Sequence, residues 1–304
     1  MKQTYYSNGK LLITGEYVVL DGAKAFALPT KFGQNLIVEK GEEKKINWKS
    51  FDKDGTVWFE DTILFDEITN RKETDKSDSI KGTLLGILQE AYQLNPKFID
   101  SSEGFNITTE LTFPKFWGLG TSSTLINNIG QWTKIDAFEL LNNSFGGSGY
   151  DIACAQNNTP LLYHLENGKP FVEKIEFNPS FEDNLSFVYL NKKQSSKAAI
   201  ASYYAKQSNL SKSITALEKI TQNIIKATDL RIFASELEKH EIIMSDILEM
   251  QTVKEQFFPD FKGVIKSLGA WGGDFVLVIS KDNPASYFEE RGFKTILPYK
   301  QMIL

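Results

Sequence analysis

Between Phe113 and Ile129 the chain reads FPKFWGLGTSSTLINNI, with glycines at 118 and 120 followed at once by Thr121, Ser122, Ser123 and Thr124. Glycine permits positive φ and lets a ligand approach the backbone, while a hydroxyl at a helix start can cap the helix or meet a phosphate or a metal ion. Two readings fit these residues: an ordinary capped strand-to-helix connection, which needs no ligand, or a cradle for an anion. The stretch matches neither the Gly-x-x-x-x-Gly-Lys-Ser/Thr phosphate loop, because no lysine follows the second glycine, nor the three-glycine dinucleotide fingerprint.

Three further places hold residues able to do chemistry. In FGGSGYDIACA, Gly146, Gly147 and Gly149 precede Tyr150 and Asp151 at an expected helix start. A carboxylate there either sits favourably against the helix dipole or acts on a substrate hydroxyl with the help of a nearby cation. Lys10, directly after Gly9, enters an apolar run and is either a solvated strand-end lysine or that cation. Glu16 falls among Leu12, Ile13, Val18 and Val19, an apolar stretch expected to be strand, where a carboxylate needs a solvent face or a specific partner. Near the C-terminus KSLGAWGGDFVLVIS carries Gly269, Gly272 and Gly273, which suit a helix C-cap with a tight turn or a loop closing on phosphate.

The elements that must position these residues follow from periodicity. KLLITGEYVVL, AFALPT, QNLIVEKG, KKINWKSFD and TVWFEDTILF are short runs rich in β-branched and aromatic residues, expected as successive strands. The charged stretch EITNRKETDKSDS reads as a solvated loop, and IKGTLLGILQEAYQLN repeats its apolar residues at helical spacing. GFNITTELTF alternates as a strand ahead of the glycine stretch, and TLINNIGQWTKI continues as a helix. PLLYHL, FVEKIEF and NLSFVYL read as extended, Lys197 to Met250 as strongly helical, and FVLVIS and FKTILPY as closing strands. Strands first, helices in the middle and strands last point to an α+β fold rather than a doubly wound parallel sheet.

A chain of 304 residues, 41% of them hydrophobic, can bury enough core for two lobes. Its formal net charge of −5 leaves no basic footprint and points away from nucleic acid, towards a small-molecule partner. One cysteine, Cys154, and two histidines, His164 and His240, exclude an intrachain disulfide and argue against a zinc centre. With no signal peptide or membrane span expected, a cytoplasmic protein without a membrane partner is the expectation.

Taken in order, GKLLITGEYVVLDGAKAFALPT, PKFWGLGTSST and LGAWGGDFVLV resemble the three motifs of the GHMP kinase superfamily, named for galactokinase, homoserine kinase, mevalonate kinase and phosphomevalonate kinase. The second is similar to P-x-x-x-G-L-G-S-S-A-A, which in the family wraps the ATP phosphates. Within the mevalonate kinase and phosphomevalonate kinase branch, GSGYDIA and the Asp after Gly272–Gly273 resemble phosphomevalonate kinase more than mevalonate kinase, in a bacterial group marked by its GYDIA residues.

The resemblance implies a two-lobed fold, an N-terminal ribosomal-protein-S5-like ATP-binding lobe over 1–165 and a C-terminal ferredoxin-like lobe over 166–304. It implies ATP and Mg²⁺ as cofactors, ATP phosphates on Gly118, Leu119, Gly120, Thr121, Ser122, Ser123, Gly269, Gly272 and Gly273, and the metal on Ser122. Asp151 falls on the proposed base and Lys10 on the lysine that contacts substrate and phosphate. Glu16, Gly149, Tyr150, Ser195, Ser196 and Lys197 fall on substrate-binding positions.

The implied activity is ATP-dependent phosphorylation of a small acidic metabolite, phosphomevalonate or mevalonate, by a monomer or homodimer. Its alternatives are a mevalonate-diphosphate-decarboxylase-like enzyme and a non-catalytic nucleotide or metabolite binder. The chain departs from the family in a shorter interval from Gly120 to Asp151, in Glu139 as only an approximate counterpart of the acidic magnesium ligand, and in Trp271, where a small residue is usual. Trp117 and Trp271 are the residues expected to wall a nucleotide or substrate.

Overall fold

The computed structural model describes residues 2–70, 79–192, 203–204, 210–269 and 271–304. Two compact units are present, and the chain passes between them more than once. The first comprises Met1–Gly9, Phe32–Lys115 and Leu119–Gln156; the second comprises Lys10–Lys31, Phe116–Gly118 and Asn157–Leu304.

Two long strands, β1 (Gln3–Thr14) and β2 (Ala25–Lys40), contribute residues to both units and pair with each other. AFALPT and QNLIVEKG, expected as separate strands, are one. Pro29, which has no N–H to give a ladder, lies between the part of β2 paired with β6 (Leu161–Glu166) and the part paired with β5 (Gly104–Leu111), so it interrupts neither pairing.

In the first unit β3 (Lys45–Phe51) and β4 (Val57–Leu64) extend the sheet in the order β4-β3-β5-β2; β3 runs parallel to β5, with Trp48 opposite Ile107, and the other pairs are antiparallel. The mixed sheet is covered by helices: α1 (Phe65–Thr69), α2 (Ile80–Leu94), α3 (Lys97–Asp100), α4 (Thr121–Thr133), α5 (Ala137–Ser144) and α6 (Tyr150–Gln156). α2 buries Leu84, Ile87, Leu88 and Ala91, one helical face, against a core holding Trp48, Ile107, Ile126, Ile129, Leu140 and Ile152. Each such aliphatic side chain contributes about 2 kcal/mol by leaving water. Of the charged stretch, residues 67–69 belong to α1 instead of loop, and 71–78 lie outside the described residues.

In the second unit β6 and β7 (Lys169–Lys174) form an antiparallel hairpin beside Ala25–Ala27. β8 (Leu185–Tyr189) precedes two long helices, α7 (Ser211–Ile225) and α8 (Leu230–Leu248), then the short α9 (Val253–Phe257). A four-stranded antiparallel sheet has the order β11-β8-β10-β9, with β9 at Val264–Ser267, β10 at Phe275–Ile279 and β11 at Ile296–Pro298. α10 (Ala285–Glu289) and α11 (Tyr299–Met302) complete it. β10 is paired on both edges and buried throughout, which is why FVLVI reads as an unbroken apolar run. Among the described residues no helix is long and apolar enough to cross a membrane.

Candidate active site

The glycine stretch begins with Phe116–Gly118 of the second unit and opens α4 in the first. Gly118 (φ 69) and Gly120 (φ 98) both take the left-handed conformation, and Gly120 is the N-cap. No side chain accepts a hydrogen bond from the first turn of α4, whereas Ser79, Asp136, Asp229 and Thr252 cap α2, α5, α8 and α9 with theirs. The hydroxyls that might have capped α4 turn the other way: Ser123 Oγ donates to the Gly120 carbonyl (2.9 Å), and Thr124 Oγ1 reaches that same carbonyl (3.0 Å) and Gln34 Oε1 (2.8 Å). The Ser/Thr-capped connection is therefore not what these residues build. They leave the positive end of a 13-residue helix without a side-chain cap, with Thr121 half-buried and Ser122 exposed in its first turn.

α6 packs against α4 and carries half-buried Asp151 in its first turn, after Gly146, Gly147 and Gly149, all at positive φ. A polar chain, buried at Ser7, Gln34, Asn127 and Asn128 and ending on exposed Gln156, links the two helices. Asn127 Nδ2 donates to Ser7 Oγ (2.8 Å), Ser7 Oγ donates to Asn128 Oδ1 (2.8 Å), Asn128 Nδ2 donates to the Gln34 carbonyl (2.9 Å), and Gln156 Nε2 donates to Asn127 Oδ1 (3.0 Å). Asn127 and Asn128 lie on buried positions of α4. Sequence reading missed them, although their place within the apolar helical repeat was a signal that each needed a partner.

The second unit brings Lys10, Trp117, Gly118, Gly269 and Asp274 around one pocket, with Leu268 and Phe275. Half-buried Lys10 donates from Nζ to the Gly118 carbonyl (3.2 Å). Trp117 packs edge-on against Phe275, ring centroids 5.3 Å apart, and lines the pocket as expected. Trp271 does not: it is 4% exposed in a core with Tyr17, Leu217 and Met244, its backbone N–H donating to the Tyr17 hydroxyl (3.0 Å) and its indole to the Gln251 carbonyl (3.1 Å). Its bulk fills an interior volume instead of walling a ligand. Gly269 follows strand β9, so the helix C-cap alternative falls away; Gly272 (φ 80) and Gly273 lead directly into Asp274 and β10.

Glu16 is not mid-strand. β1 ends at Thr14, and Tyr17 (φ 61) leads into the 3-10 turn Val18–Asp21. Glu16 is buried in an ion cluster with Lys266, which also lies 3.3 Å from Glu241 Oε2. Glu241 accepts from the Ser267 N–H and hydroxyl (3.1 and 2.6 Å), and His240 Nε2 accepts from the Gly15 N–H (3.0 Å). Burial pushes the Glu16 carboxyl up to about 7 against the downward pull of Lys266, and burial pushes His240 well below its usual range. Lys266, a lone lysine between Ile265 and a glycine turn, was the sequence signal for this cluster, and it went unused. Ser195, Ser196 and Lys197 lie outside the described residues; Gly149 and Tyr150 lead into α6 beside Asp151.

Magnesium fits this arrangement as an ion carried mainly by a nucleotide. Among the described residues no three His, Cys, Asp or Glu side chains gather as a metal site, and Glu139 is exposed in the first turn of α5. Mg²⁺ keeps waters and phosphate oxygens and asks a protein for one or two oxygen ligands, which the exposed Ser122 hydroxyl suits.

No family model matches the chain, and no curated protein matches it by sequence. Its fold is nevertheless that of a set of solved kinases. Mevalonate kinase of Methanococcus jannaschii superposes with a TM-score of 0.70 at 17% identity, covering 97% of this chain and 96% of that one. Streptococcus pneumoniae phosphomevalonate kinase, in complex with phosphomevalonate and AMPPNP, gives 0.67 at 14% identity over 95% of each chain. Lactococcus lactis galactokinase, complexed with galactose, gives 0.68 at 15% identity over 95% of this chain and 88% of that one. The chain has the GHMP kinase fold over nearly its whole length.

Proposed function

We propose that this protein is an ATP-dependent phosphotransferase acting on a small acidic alcohol or phosphate ester, with phosphomevalonate and mevalonate as the first substrates to try. The observation that carries the reading is the start of α4, where two left-handed glycines and a cap without a side chain leave first-turn amides for an anion. The fold shared with mevalonate and phosphomevalonate kinases supports the choice of substrates.

In this reading the amides of residues 118–123 donate to the phosphate oxygens of ATP, and the Ser122 hydroxyl is a ligand of Mg²⁺, which when bound neutralises charge on the β and γ phosphates. Lys10 holds its ammonium on the transferring group. Asp151 orients the acceptor hydroxyl and takes its proton as the new O–P bond forms and ADP leaves. Bringing acceptor and phosphoryl group together accounts for most of the rate, because phosphoryl transfer needs little covalent chemistry from the protein.

The test is a coupled ADP-release assay with ATP·Mg against mevalonate, phosphomevalonate, homoserine and galactose, repeated with Asp151→Asn. Turnover with one acidic acceptor is expected, with kcat falling by about 10² to 10⁴ in the variant. No turnover with any acceptor, or an unimpaired Asp151→Asn enzyme, overturns the reading.

A further inference from the structure

Asp274 is one of few non-glycine residues with a left-handed backbone (φ 52), and its geometry is fixed from both sides. Its N–H donates to the Lys192 carbonyl (2.7 Å) and its carbonyl accepts from the Leu190 N–H (2.8 Å), one residue ahead of the pairing of Phe275 with Tyr189. Aspartate tolerates this conformation better than most residues but not without strain, and such strain persists where surrounding structure imposes it.

The consequence is the direction of the side chain. A Cβ placed on Gly118 would lie 2.3 Å from both Cγ and Oδ2 of Asp274, so the carboxylate occupies the volume that glycine leaves empty. Lys10 meets the same residue from the pocket, its Nζ on the Gly118 carbonyl at 3.2 Å. A cation and an anion thus converge on one peptide of the glycine loop, in one pocket lined also by Gly269 and Trp117. Among the described residues the charge of Asp274 also reaches Tyr189, whose hydroxyl donates to the Phe116 carbonyl (3.0 Å) and is held above its usual range by burial and by that charge.

A carboxylate beside a loop meant for phosphate is costly unless its charge serves a partner, and an ammonium on a flexible four-carbon stem needs more than one fixed contact to hold its aim. We propose that Asp274 is a positioning residue for Lys10: held against Gly118 by its left-handed backbone, its carboxylate fixes the lysine ammonium in the pocket. The inference rests on the role given to Lys10 above, and it adds a residue from the third glycine loop to that role.

Two variants separate charge from backbone. Asp274→Asn keeps shape and left-handed tolerance without charge, and Asp274→Gly relaxes the backbone and removes the side chain. Lys10 is followed by its rate of acylation with an amine-reactive reagent, read by peptide mass spectrometry on the whole folded chain, because an ammonium freed from a carboxylate loses its proton more readily.

Both variants are expected to raise Lys10 acylation by roughly threefold or more and to lower kcat by about 10 to 10², with KM for ATP changed less than about threefold. Unchanged acylation in both variants overturns the proposal, as does an Asp274→Gly enzyme with native kcat, which would leave the residue only a backbone role. Should the native protein transfer phosphate to no acceptor, the kinase reading fails, and the acylation rates alone decide the positioning of Lys10.

Discussion

Glu16 shows how far one residue's environment can depart from its sequence neighbourhood. Its carboxylate is enclosed with Lys266, Glu241 and His240, and burial raises its pKa to about 7. A carboxyl whose folded pKa lies above its unfolded value stabilises the protein below the unfolded pKa, and that contribution fades as pH rises through the folded one. Between about pH 5 and 7 the native protein should therefore lose about 2 kcal/mol relative to Glu16→Gln, which has no proton to release there. His240, held low by burial and 3.5 Å from Glu16, acts in the opposite sense by favouring stability above its unfolded pKa in both proteins, so Glu16→Gln is compared with the native protein in a His240→Gln background as well. Urea unfolding of both at the two pH values measures the difference; a gap that does not move with pH would mean that Glu16 is ionised throughout this range.

At the scale of elements, the local grammar of helices and strands was legible and the polar interior was not. α2, α4, β3 and β10 announce themselves by period, because a single apolar face or a doubly paired strand imposes a pattern on neighbouring residues. The glycine stretch at α4 and the aspartate of α6 were visible for the same reason: both are local. Asn127, Asn128 and Lys266 were not, since their partners Ser7, Gln34 and Glu16 are distant in the chain and polar satisfaction has no period; Asp274 was visible in its motif, but its place against Gly118 was not. The joining of α4 to α6 is testable through Asn127. Asn127→Leu would leave buried Ser7 without its carboxamide and should cost about 2 kcal/mol in urea unfolding, because water does not replace the lost partner of a buried hydroxyl, whereas exposed Gln156 turns to solvent. A neutral or stabilising Leu would show that packing, not the network, holds the helices.

For the molecule as a whole, a formal charge of −5 and a fold shared with kinases of several small metabolites make the nucleotide a better first probe than the acceptor. A ligand that binds only the folded state stabilises it by mass action, by about 2.7 kcal/mol at roughly 100 times its Kd. ATP·Mg should therefore raise the melting temperature of the protein, and less so for Ser122→Ala, in a thermal scan with nucleotide titrated in. A melting curve indifferent to ATP at millimolar levels would count against nucleotide binding altogether. Substrate choice is the least legible property of the chain, because acceptor specificity depends on pocket walls drawn from scattered segments, which leave no local pattern to read.

The shared volume of Gly118 and Asp274 also has a meaning for the history of the sequence. Because a side chain at 118 and a carboxylate at 274 exclude each other, the two positions are expected to be linked across related chains: glycine at 118 wherever 274 is acidic, and a side chain at 118 only where 274 is small and the left-handed turn at 118 is also given up. The pair then serves as an inherited signature, separating lineages that kept this version of the loop from those that took the other.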